Sequence, residues 1–315
     1  MSDVLFSLLV VGDMHFKMNN VKETKILMET VLSSMKELRP DMVVFLGDTL
    51  DSFEKVNLQL QTKAINFFKK CAAMEGQPEI YVLIGNHDRC NNQVFLTDEH
   101  PFAGLIGAIK NLKIVDAPKD VYVGERRMTF CPYVPEDRFF EALDKLKKPI
   151  SADTKIDILF AHEDFSKIKD DKMKYIKLVI SGHIHDYQKV GNVFYPGTPY
   201  QHTFGESEQK GLQYLEFHKN GKIDNQRIEL KITKKKTIEV TEEEIEEMDL
   251  SKMKNTRVIV KGKNVSKDTI DTLKQKGNKL VLQDTVYTSN GKNFQEILLE
   301  LIGEDREQLQ LFESL

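Results

Sequence analysis

Residues 4–15 read Val-Leu-Phe-Ser-Leu-Leu-Val-Val-Gly-Asp-Met-His, and this stretch decides the fold. An almost unbroken apolar run closed by Gly12 predicts a strand buried on both faces, the pattern of a parallel sheet covered by helices. The run lacks a basic leader and a small-residue cleavage site, so it does not read as a signal peptide. Asp13 and His15 then fall at the carboxyl end of the strand, where open α/β sheets place their ligands.

The same grammar repeats downstream. Leu27, Val31, Met35 and Leu38 recur at helical spacing over 21–38, and Pro40 stops the helix. Met42–Leu46 predicts a second buried strand, 58–74 a second helix and Ile80–Ile84 a third strand. Strand, helix, strand, helix, strand implies parallel βαβ units. Beyond about residue 111 the strands shorten, to 121–123, 128–131, 156–160, 178–180, 193–195 and 212–217, with a helix near 135–146. Asn220-Gly221 is a hairpin turn leading into Arg227–Leu230. A two-sheet α/β core over 1–232 follows. Residues 231–255, with a basic run at Lys234–Lys236 and an acidic one at Glu242–Glu247, read as a joint. Strand 257–261, helix 269–276 and strand 280–286 form a small β-α-β unit. The tail from Asn293 is helical, with Phe294, Ile297, Leu298, Leu301 and Ile302 in one stripe. That stripe either packs within the chain or docks on a partner.

At 315 residues, 40% hydrophobic and 30% charged, the chain is an ordinary globular protein, which excludes wholesale disorder and disulfide scaffolds. No apolar run approaches the roughly 18 residues that span a bilayer, so no membrane association is expected. Three widely spaced cysteines point to a reducing compartment, the cytoplasm, or the host cytoplasm or nucleus for a viral chain. The net charge of -4 means that any polyanionic substrate needs local positive charge.

The chemistry-bearing residues cluster where strands end: Asp13 and His15; Gly47-Asp48; Gly85-Asn86-His87-Asp88; His162; and Gly182-His183-Ile184-His185. Five of the eight histidines lie in these clusters, too many for random scatter. Mixed imidazole, carboxylate and amide donors suit two-metal phosphoester hydrolysis, with manganese, iron or zinc favoured over magnesium or calcium.

In this order the clusters resemble the calcineurin-like metallophosphoesterase superfamily over residues 12–185. The resemblance implies a four-layer α/β/β/α sandwich. It implies that Asp13, His15 and His185 bind one metal, that Asn86, His162 and His183 bind the other, and that Asp48 bridges them. It further implies that His87 protonates the leaving alkoxide and that Asp88 orients His87. The stretch Val193–Pro199, with Glu206 and Lys210-Gly211, resembles the SbcD-type nuclease subunit, counterpart of the meiotic-recombination-eleven nuclease.

That second resemblance implies two divalent ions, manganese first, and a 3′-to-5′ exonuclease on DNA ends that also cuts single strands and hairpins. It implies a small α+β capping domain over 233–290 and a helical tail over 291–315. The expected partners are DNA, a coiled-coil ABC ATPase of the SbcC type and a second copy in a homodimer. Where cellular members carry a histidine three residues after the bridging aspartate, this chain has Asp51, as in phage-type members; it is a candidate substrate contact. Lys167, Lys169, Lys172 and Lys174 are candidate phosphate contacts, or, interleaved with Asp170 and Asp171, a solvated face. The rival readings are a stand-alone nucleotide phosphodiesterase or phosphatase and a non-catalytic scaffold. The complete ligand set argues against the scaffold.

Overall fold

The computed structural model describes residues 3–52, 55–250, 253, 255–261, 266–275 and 278–283. The chain divides into two compact units, Met1–Lys234 and Lys235–Leu315.

The first unit is built on two six-stranded sheets. Its opening strand β1 (Val4–Val11) leads through helix α1 (Val21–Leu38) to β2 (Met42–Phe45), then through α2 (Leu58–Ala72) to β3 (Glu79–Leu83) and on to β4 (Leu112–Val115). These four strands pair in parallel in that order. Apolar spacing puts Leu27, Val31 and Met35 of α1 in the core, and the helix ends with Arg39 in a left-handed cap whose N–H reaches the Met35 carbonyl. The Asn57 side chain caps α2 by accepting from the N–H groups of Gln59 and Leu60.

The second sheet runs β5 (Lys119–Val123), β6 (Arg126–Phe130), β7 (Ile156–His162), β8 (Ile176–Gly182), with β10 (Val193–Tyr195) beside β8 and β9 (Gln188–Val190) at the edge. Strands β6, β7, β8 and β10 are parallel. The chain then returns to the first sheet as β11 (Leu212–His218), antiparallel to β1, and β12 (Ile223–Ile228).

Alternation along β1 shows why four layers form. Leu8 and Val10 face a core shared with Tyr81, Phe130, Ile158 and Phe160, between the sheets. Leu9 and Val11 face the core beneath α1 and α2. On the far side of the second sheet, Ile156, Leu159 and Val179 pack with Phe139 and Leu143 of the short helix α3 (Phe139–Leu143). The inter-sheet layer is tied by stacked rings, Tyr81 on Phe130 at 4.1 Å and Phe130 on Phe160 at 4.7 Å.

Several expected elements shift. The helix expected over 135–146 is only one and a half turns, because it begins as a 3-10 turn after Pro135. The hairpin strand begins at Ile223, directly after the turn, since Phe217 already pairs with Ile223. Its exposed Asp224–Arg227 segment carries the polar face of an edge strand.

In the second unit, the residues read as a joint hold strand β13 (Lys236–Thr241) and helix α4 (Glu242–Glu247). Thr241 and Glu244 form a reciprocal cap that starts α4 despite its acidic run. With β14 (Thr256–Lys261), α5 (Lys267–Gln275) and β15 (Lys279–Gln283), the described part is a parallel three-stranded sheet with helical crossovers, an α/β arrangement and not a segregated α+β one. Ile245, Val258, Val260 and Leu273 form its core. The tail stripe lies outside the described residues.

Candidate active site

The loops after β1 and β2 are laced together before any ligand is considered. The N–H of His15 donates to the Asp48 carbonyl at 2.9 Å, and that of Phe16 to the Thr49 carbonyl at 2.9 Å. The backbone around the cluster is unusual. His15, Asp48 and His183 all hold positive φ, at 42°, 47° and 74°. Left-handed backbone in non-glycine residues costs on the order of 1–3 kcal/mol each and concentrates where function demands a geometry.

Close approach accounts for two glycines. A Cβ on Gly85 would sit 2.2 Å from Asp48 Oδ1, and one on Gly182 would sit 2.5 Å from Asp13 Oδ1. Asp13 and Asp48 are thereby seated against bare backbone, 1% and 2% exposed.

Asp48 Oδ1 accepts from the His87 backbone N–H at 2.8 Å. Its Oδ2 lies 3.3 Å from His162 Nε2, 3.6 Å from His15 Nε2 and 4.0 Å from His87 Nε2. One carboxylate oxygen thus looks at imidazoles from both groups of residues. On one side His15 Nε2 and His185 Nε2 are 3.1 Å apart, with Asp13 Oδ2 3.9 Å from the latter. On the other, Asn86 Oδ1 is 2.9 Å from His162 Nε2 and 3.0 Å from His183 Nδ1.

The donor and acceptor roles test whether cations fit here. His162 Nδ1 is 2.8 Å from the Leu46 carbonyl, so it carries the hydrogen and a neutral ring turns an Nε2 lone pair toward the Asn86 oxygen. His15 Nδ1 is 3.0 Å from Asp51 Oδ1, which likewise directs its Nε2 lone pair toward His185. Lone pair against lone pair at about 3 Å is repulsive unless a proton or cation sits in front of both. The same separation is about the distance between adjacent ligands at right angles on an ion with bonds near 2.1 Å. Asp13 Oδ1, buried and without a hydrogen-bond partner among the described residues, is a further unsatisfied ligand atom. The residues fit divalent ions.

The buried carboxylates draw positive charge into the cluster. Burial works against charge on His162, but Asp48 and Asp13 outweigh it and push the imidazole up to about 10. Burial also opposes ionisation of Asp48, yet His162, His15 and His87 hold its carboxyl well below the usual range. Burial, aided by Asp48, raises Asp13. His183 is pushed down to about 4 by burial and by His162, which favours its neutral ring.

Three groups of residues fall elsewhere than expected. Asp88, expected to orient the His87 ring, turns its oxygens to backbone. Its oxygens accept from the backbone N–H groups of Thr49, Leu50 and Gly85, so it pins the loop that carries Asp48. The carboxylate beside the ring is Asp51, whose Oδ1 is 3.2 Å from His87 Nδ1 while its Oδ2 pairs with Lys17 at 2.8 Å. His15 and His87 hold the Asp51 carboxyl well below the usual range. Asp51, read as a substrate contact, thus stands against the rings of both His15 and His87.

The lysine run engages local carboxylates: Lys172 with Asp144 at 2.8 Å, Lys167 with Asp164 and Lys174 with Asp171, each at 3.9 Å. Lys169 stands beside them in the same loop. Sequence reasoning also missed His202, whose ring stands 5.1 Å from that of His15, and the work of Lys210. Buried Lys210 donates to the His185 carbonyl at 2.7 Å and pairs with Glu206 at 3.1 Å, tying the loop after β10 to the second histidine turn. Only the closeness of Glu206 and Lys210 in sequence could have signalled that.

The calcineurin-like phosphoesterase family profile matches residues 6–187. The chain is 33% identical over 291 residues to the protein named "Putative phosphoesterase 244L" of Invertebrate iridescent virus 6, covering 87% of this chain and 98% of that one. It is 26% identical over 142 residues to Exonuclease subunit 1 of Enterobacteria phage T4, covering 42% and 41% of the two chains. Among solved structures, GAP50, the anchor in the inner membrane complex of Plasmodium, superposes with a TM-score of 0.46 at 13% identity, covering 89% and 98%. No helix among the described residues is long and apolar enough to cross a membrane. The family profile and the 244L relative, arriving on a fold and a strand-end cluster already described, establish that the chain belongs to the calcineurin-like phosphoesterase family.

Proposed function

We propose that this phosphoesterase is a DNA nuclease subunit of the SbcD type, a 3′-to-5′ exonuclease that also cuts single strands and hairpins. The observation that carries the hydrolytic part is Asp48 Oδ2 facing imidazoles of both ligand groups, with His87 Nε2 at its edge. The step from phosphoester to DNA draws support from the relative named Exonuclease subunit 1. Asp13, His15 and His185 would hold one ion, and Asn86, His162 and His183 the other, with Asp48 between. Bound divalent ions, manganese first given the mixed nitrogen and oxygen donors, would supply Lewis-acid stabilisation of phosphoryl charge and a nucleophilic water near neutral pH.

The chain's own residues do the rest. His87 is partly exposed, so its Nε2 can meet a substrate oxygen at the mouth of the cluster. It donates its proton to the leaving alkoxide while Asp51 on Nδ1 fixes the ring. Lys210 holds the turn bearing His183 and His185 by its grip on the His185 carbonyl. The reading carries with it an SbcC-type ATPase partner and a homodimer.

The test is manganese-dependent cleavage of labelled single-stranded and hairpin DNA, with bis-para-nitrophenyl phosphate as a small control ester. His87→Asn should keep metal binding and lose turnover by about 10²–10⁴-fold on DNA. Hydrolysis of the ester with no DNA cleavage, alone or with the ATPase partner, would move the chain to the nucleotide phosphodiesterase reading.

A further inference from the structure

The group that departs in the reaction must lie on the His87 side, because His87 hands it a proton. Two clefts open there. One, of about 730 Å³, is walled by Ser52, Lys55, His87, Asn91, Asn92 and Gln93. The other, of about 380 Å³, runs past Lys17, Met18 and Asn57. They share Asp51, Ser52 and Lys55 as a common wall.

From these walls we infer that the leaving-group side is a track for a DNA strand, in which Ser52, Lys55 and Asn92 hold the part of the strand that departs at His87. The inference rests on the nuclease reading and names what that reading leaves open, where the strand lies.

The walls are chemically unlike a pocket for a small apolar leaving group. Amides, a hydroxyl and an ammonium group dominate them. Ser52 and Asn92 line the larger cleft together with Asn91 and Gln93. A hydroxyl and side-chain amides of this kind take hydrogen-bond partners from a bound strand. Sugar hydroxyls, base amino groups and, for the Ser52 hydroxyl as donor, phosphate oxygens are such partners.

Charge points the same way. Lys17 is committed to Asp51, whereas no carboxylate among the described residues pairs with Lys55. In a chain of net charge -4, this ammonium beside the proton donor suits a phosphate that stays with the departing strand. Exposed Met18, on the rim of the second cleft, offers an apolar surface to a base. A small ester uses only the His87 end; a strand continues along the shared wall.

The test compares the full chain with Ser52→Ala, Lys55→Ala and Asn92→Ala on a labelled single strand and on bis-para-nitrophenyl phosphate. The expected result is a KM for DNA that rises about tenfold more than the KM for the ester. Lys55→Ala should also lower the slope of log affinity against log salt by about 0.7, the value for one lost contact to a single-stranded phosphate. A second measurement needs no turnover. Cys90 is exposed and lines the larger cleft, while Cys71 and Cys131 are buried. A single strand bound to His87→Asn should slow alkylation of Cys90. Wild-type protein that cleaves DNA while the three variants match it in KM and salt slope, and the strand leaves Cys90 unprotected, would overturn the track but keep the nuclease. Wild-type protein that hydrolyses only the ester would remove the nuclease reading, and the track with it.

Discussion

The two six-stranded sheets bring unlike chemistry to one seam. The first supplies the carboxylates Asp13 and Asp48, together with His15, Asn86, His87 and Asp51. The second supplies imidazoles alone, His162, His183 and His185. The first sheet thus brings negative charge to the imidazoles of the second, where His162 is pushed up and His183 is pushed down by burial and by His162. The layer of stacked rings between the sheets therefore sets the spacing of residues that face each other across the seam.

The largest expected effect comes from removing the shared carboxylate. Asp48→Ala should bring turnover to background and abolish the manganese-induced rise in Tm, which for wild type corresponds to about 2.7 kcal/mol per bound ion at a hundred times Kd. His183→Ala, on the second sheet, should lose only one of two binding events in a calorimetric titration. Two intact events in Asp48→Ala would show that the sheets do not share a ligand.

Next is the seam. Phe160 is fully buried between the sheets, so Phe160→Ala should cost about 3–5 kcal/mol in urea unfolding. It should also weaken manganese binding although it touches no ligand. A variant that loses stability but binds manganese as tightly as wild type would mean that the sheets keep their spacing without this layer.

Asp51→Asn should reduce metal affinity or turnover by about 10–100-fold, the usual consequence of removing a group that orients a ligand. Because Asp51 serves His15 and His87 together, both quantities should fall; a loss in turnover alone would confine its role to His87. The smallest effect is expected far from the seam. Lys172→Ala removes an exposed ion pair with Asp144 and should change stability by less than about 0.5 kcal/mol, with DNA cleavage within twofold of wild type.

Much of this was legible in the sequence where burial is complete. β1, β2 and β3 announce themselves because a strand covered on both faces is apolar at every position. The clusters at their ends are legible for the same reason, since chemistry stands out against such runs. β9 and β13 were invisible because their side chains are largely exposed and polar, which erases the hydrophobic pattern. β4 hid in four residues, Leu-Lys-Ile-Val. The exchange of roles between Asp88 and Asp51 could not be read at all. It depends on which way two nearby carboxylates turn, and the pairing of Asp51 with His15 spans 36 positions. Asp88, next to His87 in the chain, is held by backbone N–H groups instead.

Gly85 and Gly182 carry a consequence for how such a site can change over evolutionary time or in the hands of an engineer. With a carboxylate oxygen closer than 3 Å to where a side chain would begin, neither position tolerates even alanine without moving a ligand. The wall nearest the cluster is therefore closed to gradual variation, and selectivity for one cation over another cannot be adjusted by reshaping it. Diversification is left to the far rim, around Ser52, Lys55 and residues 90–93, which lie outside the packed wall.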